Sequence, residues 1–344
     1  MDIDFSEIIY LKDPEALTLK ADYQQFLLSL MAPTVIDVSG KDNKRCRVFI
    51  TLLHGNEPSG LMAIHRWLTA NPQRSKPATN IRFIFCSIEA ASLSPFFSKR
   101  YLDGHKDINR CFGTIHDHSD YQRANLLEKA IKEVSPEAII DLHNTSGSSP
   151  AYASGSIITA SVLSLASSFC RTMLLSDFKV NSLMEQKFDC PFVTIECGDS
   201  RDQQSHEIAY QGIKHICSCE NISNFHQEKQ LEIIYEPLRL QLKKDVLLSY
   251  SDHDEGSLGV TLKNNIEQYN FGGAAQGQML GWLDSHLLDN LQLLNSQHEN
   301  VVDSYFSVRG NQLVCAMNLR IFMATASENI AKMDYLFYVV KSTS

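Results

Sequence analysis

His54 and Glu57 stand three residues apart in the stretch LLHGNEPSGL, with Gly55 between them and Pro58 following Glu57. An imidazole and a carboxylate are two of the roughly three protein donors that a catalytic zinc takes, the remaining position being left to water. A third donor of the right kind is His143, in DLHNTSG. Taken singly, an H-x-x-E pair or a lone histidine is common in chains that hold no metal. What recommends these three is the local structure that each implies.

The run RCRVFITLLH, 45–54, is apolar and β-branched over most of its length and reads as a strand buried on both faces, ending at His54. Residues 57–70 then place Leu61, Ile64, Trp67 and Leu68 at helical spacing, with Pro58 near the first turn where its missing N–H costs nothing. The motif therefore falls on a strand-to-helix turn. EAIIDLH, 137–143, is a second buried strand that puts His143 at its own end, and open α/β sheets gather ligands at the carboxyl ends of their strands. Asp141, two residues earlier on the same face, can orient a ligand, while Gly55 and Gly60 allow close backbone approach.

Two further groups can act on a substrate. The polar stretch SKRYLDGHKDINRCF, 98–112, supplies Arg100, Asn109 and Arg110, and an arginine fork suits a planar carboxylate. The plainer reading is a solvated, salt-bridged loop. Glu196, in FVTIECGDS, is a carboxylate in an apolar strand, where desolvation should raise its pKa toward that of a general base. Its plainer reading is a structural glutamate paired with a cation. His116 and His118 form an H-x-H, best read as a polar loop at a helix start.

Residues 81–88 and 192–197 read as further strands and 121–134, 157–175 and 203–217 as helices, an α/β pattern. After about 225 short β-like runs alternate with turn-rich pieces. The expected organisation is an α/β domain over 1–225 and a smaller, mainly β domain over 226–344.

Composition narrows the ligands. The 344 residues are 44% hydrophobic and carry a formal net charge of −9, with no long Lys/Arg block for a phosphate backbone, so nucleic acid is not expected as a partner. The opening MDIDFSEII has no basic segment ahead of an apolar one, no run is apolar enough to span a bilayer, and the nine cysteines form no framework. The expectation is a cytoplasmic protein with reduced thiols, acting on small molecules away from membranes. Whether it is a homo-oligomer is left open.

Four motifs in order, H54-x-x-E57, D107-I-N109-R110, D141-L-H143 and I195-E196-C197-G198, resemble the succinylglutamate desuccinylase/aspartoacylase family, which belongs with the zinc carboxypeptidases. The resemblance covers most of 45–200. It implies a three-layer α/β/α hydrolase domain with a mixed central sheet, one Zn2+ per chain held by His54, Glu57 and His143, Glu196 as the base acting on water, and Arg100 as the residue that polarises the carbonyl. Asn109 and Arg110 would hold the substrate's α-carboxylate. The implied reaction is removal of an acyl group from an N-acyl amino acid or related small amide.

The chain also departs from the family. Where aspartoacylases place a further arginine ahead of the base, it reads MEQKFD, so Lys187 would have to serve as a point charge without a fork. Gly104 to Lys106 lengthen the loop between Arg100 and Arg110, which bears on the assignment of Arg100. Two rivals remain: a metallocarboxypeptidase acting on short peptides, and a catalytically silent zinc-binding module.

Overall fold

The computed structural model describes residues 7–15, 19–70, 76–176, 179–222, 231–256, 258–333 and 335–342. They fall into two compact units, 1–144 with 151–234, and 145–150 with 235–344. The boundary expected near 225 lies outside the described residues.

The first unit is built on nine strands: β1 (Ile9–Lys12), β2 (Thr34–Val38), β3 (Asp42–Thr51), β4 (Thr79–Phe85), β5 (Ala138–Thr145), β6 (Tyr152–Gly155), β7 (Thr172–Leu175), β8 (Phe192–Asp199) and β9 (Glu232–Tyr235). They form one sheet in the order β1-β2-β4-β3-β5-β8-β6-β7-β9. It is mixed: β3 runs parallel to β4 and β5, whereas β2 opposes β4 and β6 opposes β8.

Strict alternation along β3 explains why both faces are covered. Phe49 belongs to a core with α1 (Tyr23–Leu30), α2 (Ser59–Thr69), α5 (Ala160–Ser167) and α6 (Gln203–Ser218), while Val48 and Ile50 belong to a core on the other face with α4 (Ser119–Lys132). This is the α/β/α layering expected from the motifs. Gly60 in α2 is required by this packing, because a Cβ there would lie 2.2 Å from the Thr51 hydroxyl.

Three sequence readings need correction. Residues 86–88 do not continue β4; Ser87 precedes the short helix α3 (Ile88–Ala91). The helix expected over 157–175 is only α5, and Thr172–Leu175 is β7, paired in parallel with β6, which the sequence reading omitted. A four-residue apolar run has no period of its own that separates a buried strand from the end of a helix, and here pairing decides.

The second unit is mainly β, as its turn-rich texture implied. One five-stranded sheet contains Leu319–Phe322, Phe337–Lys341 and Leu238–Leu242 as its inner strands, and the other contains Val260–Leu262, Met279–Leu283 and Gln312–Cys315. Leu240, Leu262, Phe306, Leu313, Ile321 and Phe337 join in a common core. Among the described residues no helix is long and apolar enough to cross a membrane.

Candidate metal centre

β3 and β5 run side by side with Thr51 opposite Leu142, so His54, just past the end of β3, and His143, one residue beyond Leu142, reach the same edge of the sheet. Between Thr51 and His54 the chain turns sharply. Leu52 is fully buried with φ 57°, a left-handed conformation that costs a leucine of order 1–3 kcal/mol and that clusters at functional sites. The turn then closes by a hydrogen bond from Glu57 N to His54 O at 3.2 Å. Gly55 is needed here, since a Cβ would sit 2.7 Å from Ala90, Ala91 and Lys99 atoms.

His54, Glu57 and His143 are all buried, and each can offer one donor atom with all three atoms within 4.8 Å of one another. Among the described residues no other trio of His, Cys, Asp or Glu does so. Glu57 is the centre of the group: its Oε1 lies 2.8 Å from His54 Nδ1 and its Oε2 2.7 Å from His143 Nδ1. Burial alone would raise its pKa, but the two histidines outweigh burial and hold the carboxyl well below the usual range.

The opposite ring nitrogens are held by carboxylates as well. His54 Nε2 lies 3.1 Å from Asp107 Oδ1 and His143 Nε2 lies 2.9 Å from Asp141 Oδ2. A carboxylate accepts the Nε2 proton, so each imidazole turns an Nδ1 lone pair inward when it is neutral. For Asp141 this is the orienting role read from its strand position. Asp107, the first residue of the D107-I-N109-R110 motif, is an orienting group that sequence position alone does not reveal. It also accepts from Arg100 Nε at 3.0 Å, and His54 and Arg100 overcome its burial to hold its pKa well below the usual range.

Arg100 joins the same group, its Nη1 lying 3.4 Å from Glu57 Oε1. Asn109 and Arg110 occupy the 3-10 turn Ile108–Arg110, where Asp107 accepts from Asn109 N at 2.8 Å and Asn109 Oδ1 accepts from Leu183 N at 2.9 Å. The loop therefore carries a histidine-orienting carboxylate and these candidate anion holders together. Lys187 stands apart: it is exposed and makes no hydrogen bond or ion pair among the described residues.

Like Asp141, whose Oδ1 is also unpartnered, Glu196 on β8 has a buried oxygen without compensation. Its Oε2 is fully buried and has no hydrogen-bond partner. Burial, then the charge of Glu57, push its pKa up to about 7 against the pull of His143, His54 and Arg100. A lone buried carboxylate oxygen is costly and calls for an explanation. The charges of both histidines, Glu57 and Arg100 all act on it.

Two imidazoles and a carboxylate with their outer nitrogens fixed, beside an unsatisfied carboxylate, fit a divalent cation of the zinc kind; the donor set suits zinc as well as iron, cobalt or nickel. Fold and site thus define an α/β protein with a strand-end His-Glu-His centre. Residues 50–210 match the Succinylglutamate desuccinylase/Aspartoacylase catalytic domain.

Solved structures agree in fold. Succinylglutamate desuccinylase from Vibrio parahaemolyticus superposes with a TM-score of 0.58 at 12% identity, over 93% of this chain and 95% of that one. The Chromobacterium violaceum succinylglutamate desuccinylase gives 0.54 at 16% identity over 88% and 86%, and murine aminoacylase 3 gives 0.53 at 14% over 88% and 96%. At such identities the likeness is one of fold alone. No curated protein matches this chain.

Proposed function

We propose that this protein is a metal-dependent amidohydrolase that removes the acyl group from an N-acyl amino acid or a related small amide. The observation that carries the reading is the paired orientation of His54 and His143, both Nδ1 atoms turned to Glu57 and both Nε2 atoms held by aspartates. The match of residues 50–210 to a desuccinylase/aspartoacylase catalytic domain and the names of the structural neighbours support it.

His54, Glu57 and His143 would hold Zn2+, which when bound supplies a Lewis acid for the carbonyl and makes water more acidic. The remaining chemistry belongs to the chain. Glu196, kept near neutral pKa by its apolar strand, takes a proton from the attacking water as oxygen adds to the acyl carbon. It then passes that proton to the amine nitrogen as the C–N bond breaks, giving a carboxylate and a free amino acid. Arg100 offsets charge developing on the former carbonyl oxygen, a role worth roughly 3–4 kcal/mol for one well-placed donor. Asn109 and Arg110 grip the α-carboxylate, with Lys187 as a further cation for an acidic side chain.

The test is bound metal measured together with hydrolysis of N-acetyl and N-succinyl amino acids and short peptides. Release of amino acid from small N-acyl substrates by the metal-loaded protein supports the reading. Cleavage of peptides alone would favour a carboxypeptidase, and bound metal without any hydrolysis a silent zinc protein.

A further inference from the structure

The residue after His143 has a saturated side chain. Asn144 is buried, its Oδ1 accepts from Ser59 N at 3.0 Å, and its Nδ2 donates to Ser59 Oγ at 2.7 Å and to Gly198 O at 2.8 Å. An amide offers one acceptor oxygen and two donor hydrogens, so every one of these donors is used. Its backbone N–H points at Glu57 Oε2, 3.3 Å away.

The partners are significant by position. Ser59 lies two residues beyond Glu57, Gly198 two residues beyond Glu196, and Asn144 directly follows His143. One side chain therefore ties together the segments bearing two candidate ligands and the candidate base. Gly198 has φ 107°, a conformation strained for any residue with a Cβ, so the direction of its carbonyl is set by glycine. Ser59 Oγ, which accepts from Asn144, also lies within hydrogen-bond distance of His206 Nδ1, 2.7 Å away, and the network continues into α6.

We propose that Asn144 is a positioning residue that holds Glu57, His143 and Glu196 in mutual register through Ser59 and Gly198; this rests on the hydrolase reading above. A misplacement of about 1 Å in such a constellation can cost on the order of 100-fold in rate. Removing a group that orients metal ligands typically costs about 10–100-fold in metal affinity or activity.

The experiment compares full-length wild type, Asn144→Ala, Asn144→Asp, Ser59→Ala and the Asn144→Ala/Ser59→Ala double variant. Readouts are zinc affinity by competition with a chromophoric chelator, kcat and KM on a substrate the wild type hydrolyses, and circular dichroism. For Asn144→Ala we expect native circular dichroism, zinc affinity reduced about 10-fold or more, and kcat reduced about 100-fold with little change in KM, because the carboxylate grip lies on a separate loop. The double variant should lose no more than Asn144→Ala alone, since both act in one network. Asn144→Asp keeps the acceptor for Ser59 N but loses the donor to Gly198, and should lower kcat even if Asn144→Ala fails to fold.

Wild-type zinc affinity and kcat in the folded Asn144 variants, or strictly additive losses, would overturn the proposal while leaving the hydrolase reading intact. A wild type that binds no zinc and hydrolyses nothing in the panel would overturn both.

Discussion

Asp141 Oδ2 lies 2.9 Å from His143 Nε2, two residues back along the same face of β5. The contact fixes which imidazole nitrogen carries the proton and which faces Glu57. Asp107 stands in the same relation to His54 from a different part of the chain. Asp141→Ala and Asp107→Ala should each lower zinc affinity by about 10–100-fold, read by chelator competition. Unchanged affinity in both would show that ring orientation is secured elsewhere.

Asp107→Ala should do more than Asp141→Ala, because it also releases Arg100 Nε. Its kcat is expected to fall further than Asp141→Ala at saturating zinc. Equal kcat for the two variants would separate Arg100 from the reaction. Arg100→Lys keeps the charge but not the fork that spans Asp107 and Glu57, and should lose roughly 100-fold or more in kcat with zinc retained.

Glu196→Gln should bind zinc normally and turn over about 100- to 10,000-fold more slowly, the usual worth of a positioned base. Only the ionised carboxylate accepts a proton, so kcat/KM should rise with pH through the Glu196 pKa. Burial sets that pKa up to about 7 without metal, and a bound cation would draw it downward. The sign for stability is opposite. A carboxyl raised on folding favours the fold below its unfolded pKa, and that advantage is lost as pH climbs through about 7. Metal-free Glu196→Gln should therefore gain melting temperature relative to wild type above neutrality and not in acid. A gain confined to acid would contradict the burial of this carboxylate.

How much of this was legible beforehand depended on whether position in an element was enough. His54, Glu57 and His143 could be read because each sits where a buried apolar run ends, and the parallel pairing of β3 with β5 does the rest. Asp141 followed from the two-residue strand period. Asp107 and Asn144 could not be assigned this way: their roles depend on how a loop folds back onto His54 and on which backbone groups lie beside β5. The left-handed Leu52 likewise has no signature in its residue type. The sequence of β7 reads as helix because its identity as a strand comes from its neighbour β6.

The candidate substrate residues divide cleanly. Asn109 and Arg110 share a turn with the Asp107 that holds His54, whereas Lys187 is exposed and uncommitted. Arg110→Ala should raise KM about 10-fold or more with a smaller effect on kcat, as loss of a charged carboxylate grip does. Lys187→Ala should matter only for substrates with an acidic side chain. An equal effect of Lys187→Ala on neutral and acidic N-acyl amino acids would remove it from the site.

The most direct measurement is metal content by elemental analysis after zinc loading and desalting, for wild type and for His54→Ala, Glu57→Ala and His143→Ala, with circular dichroism to establish folding. One equivalent of zinc in wild type and well under one in each folded variant is the expected result. Stoichiometric zinc surviving loss of Glu57, the carboxylate between both imidazoles, would contradict a centre built from these three side chains.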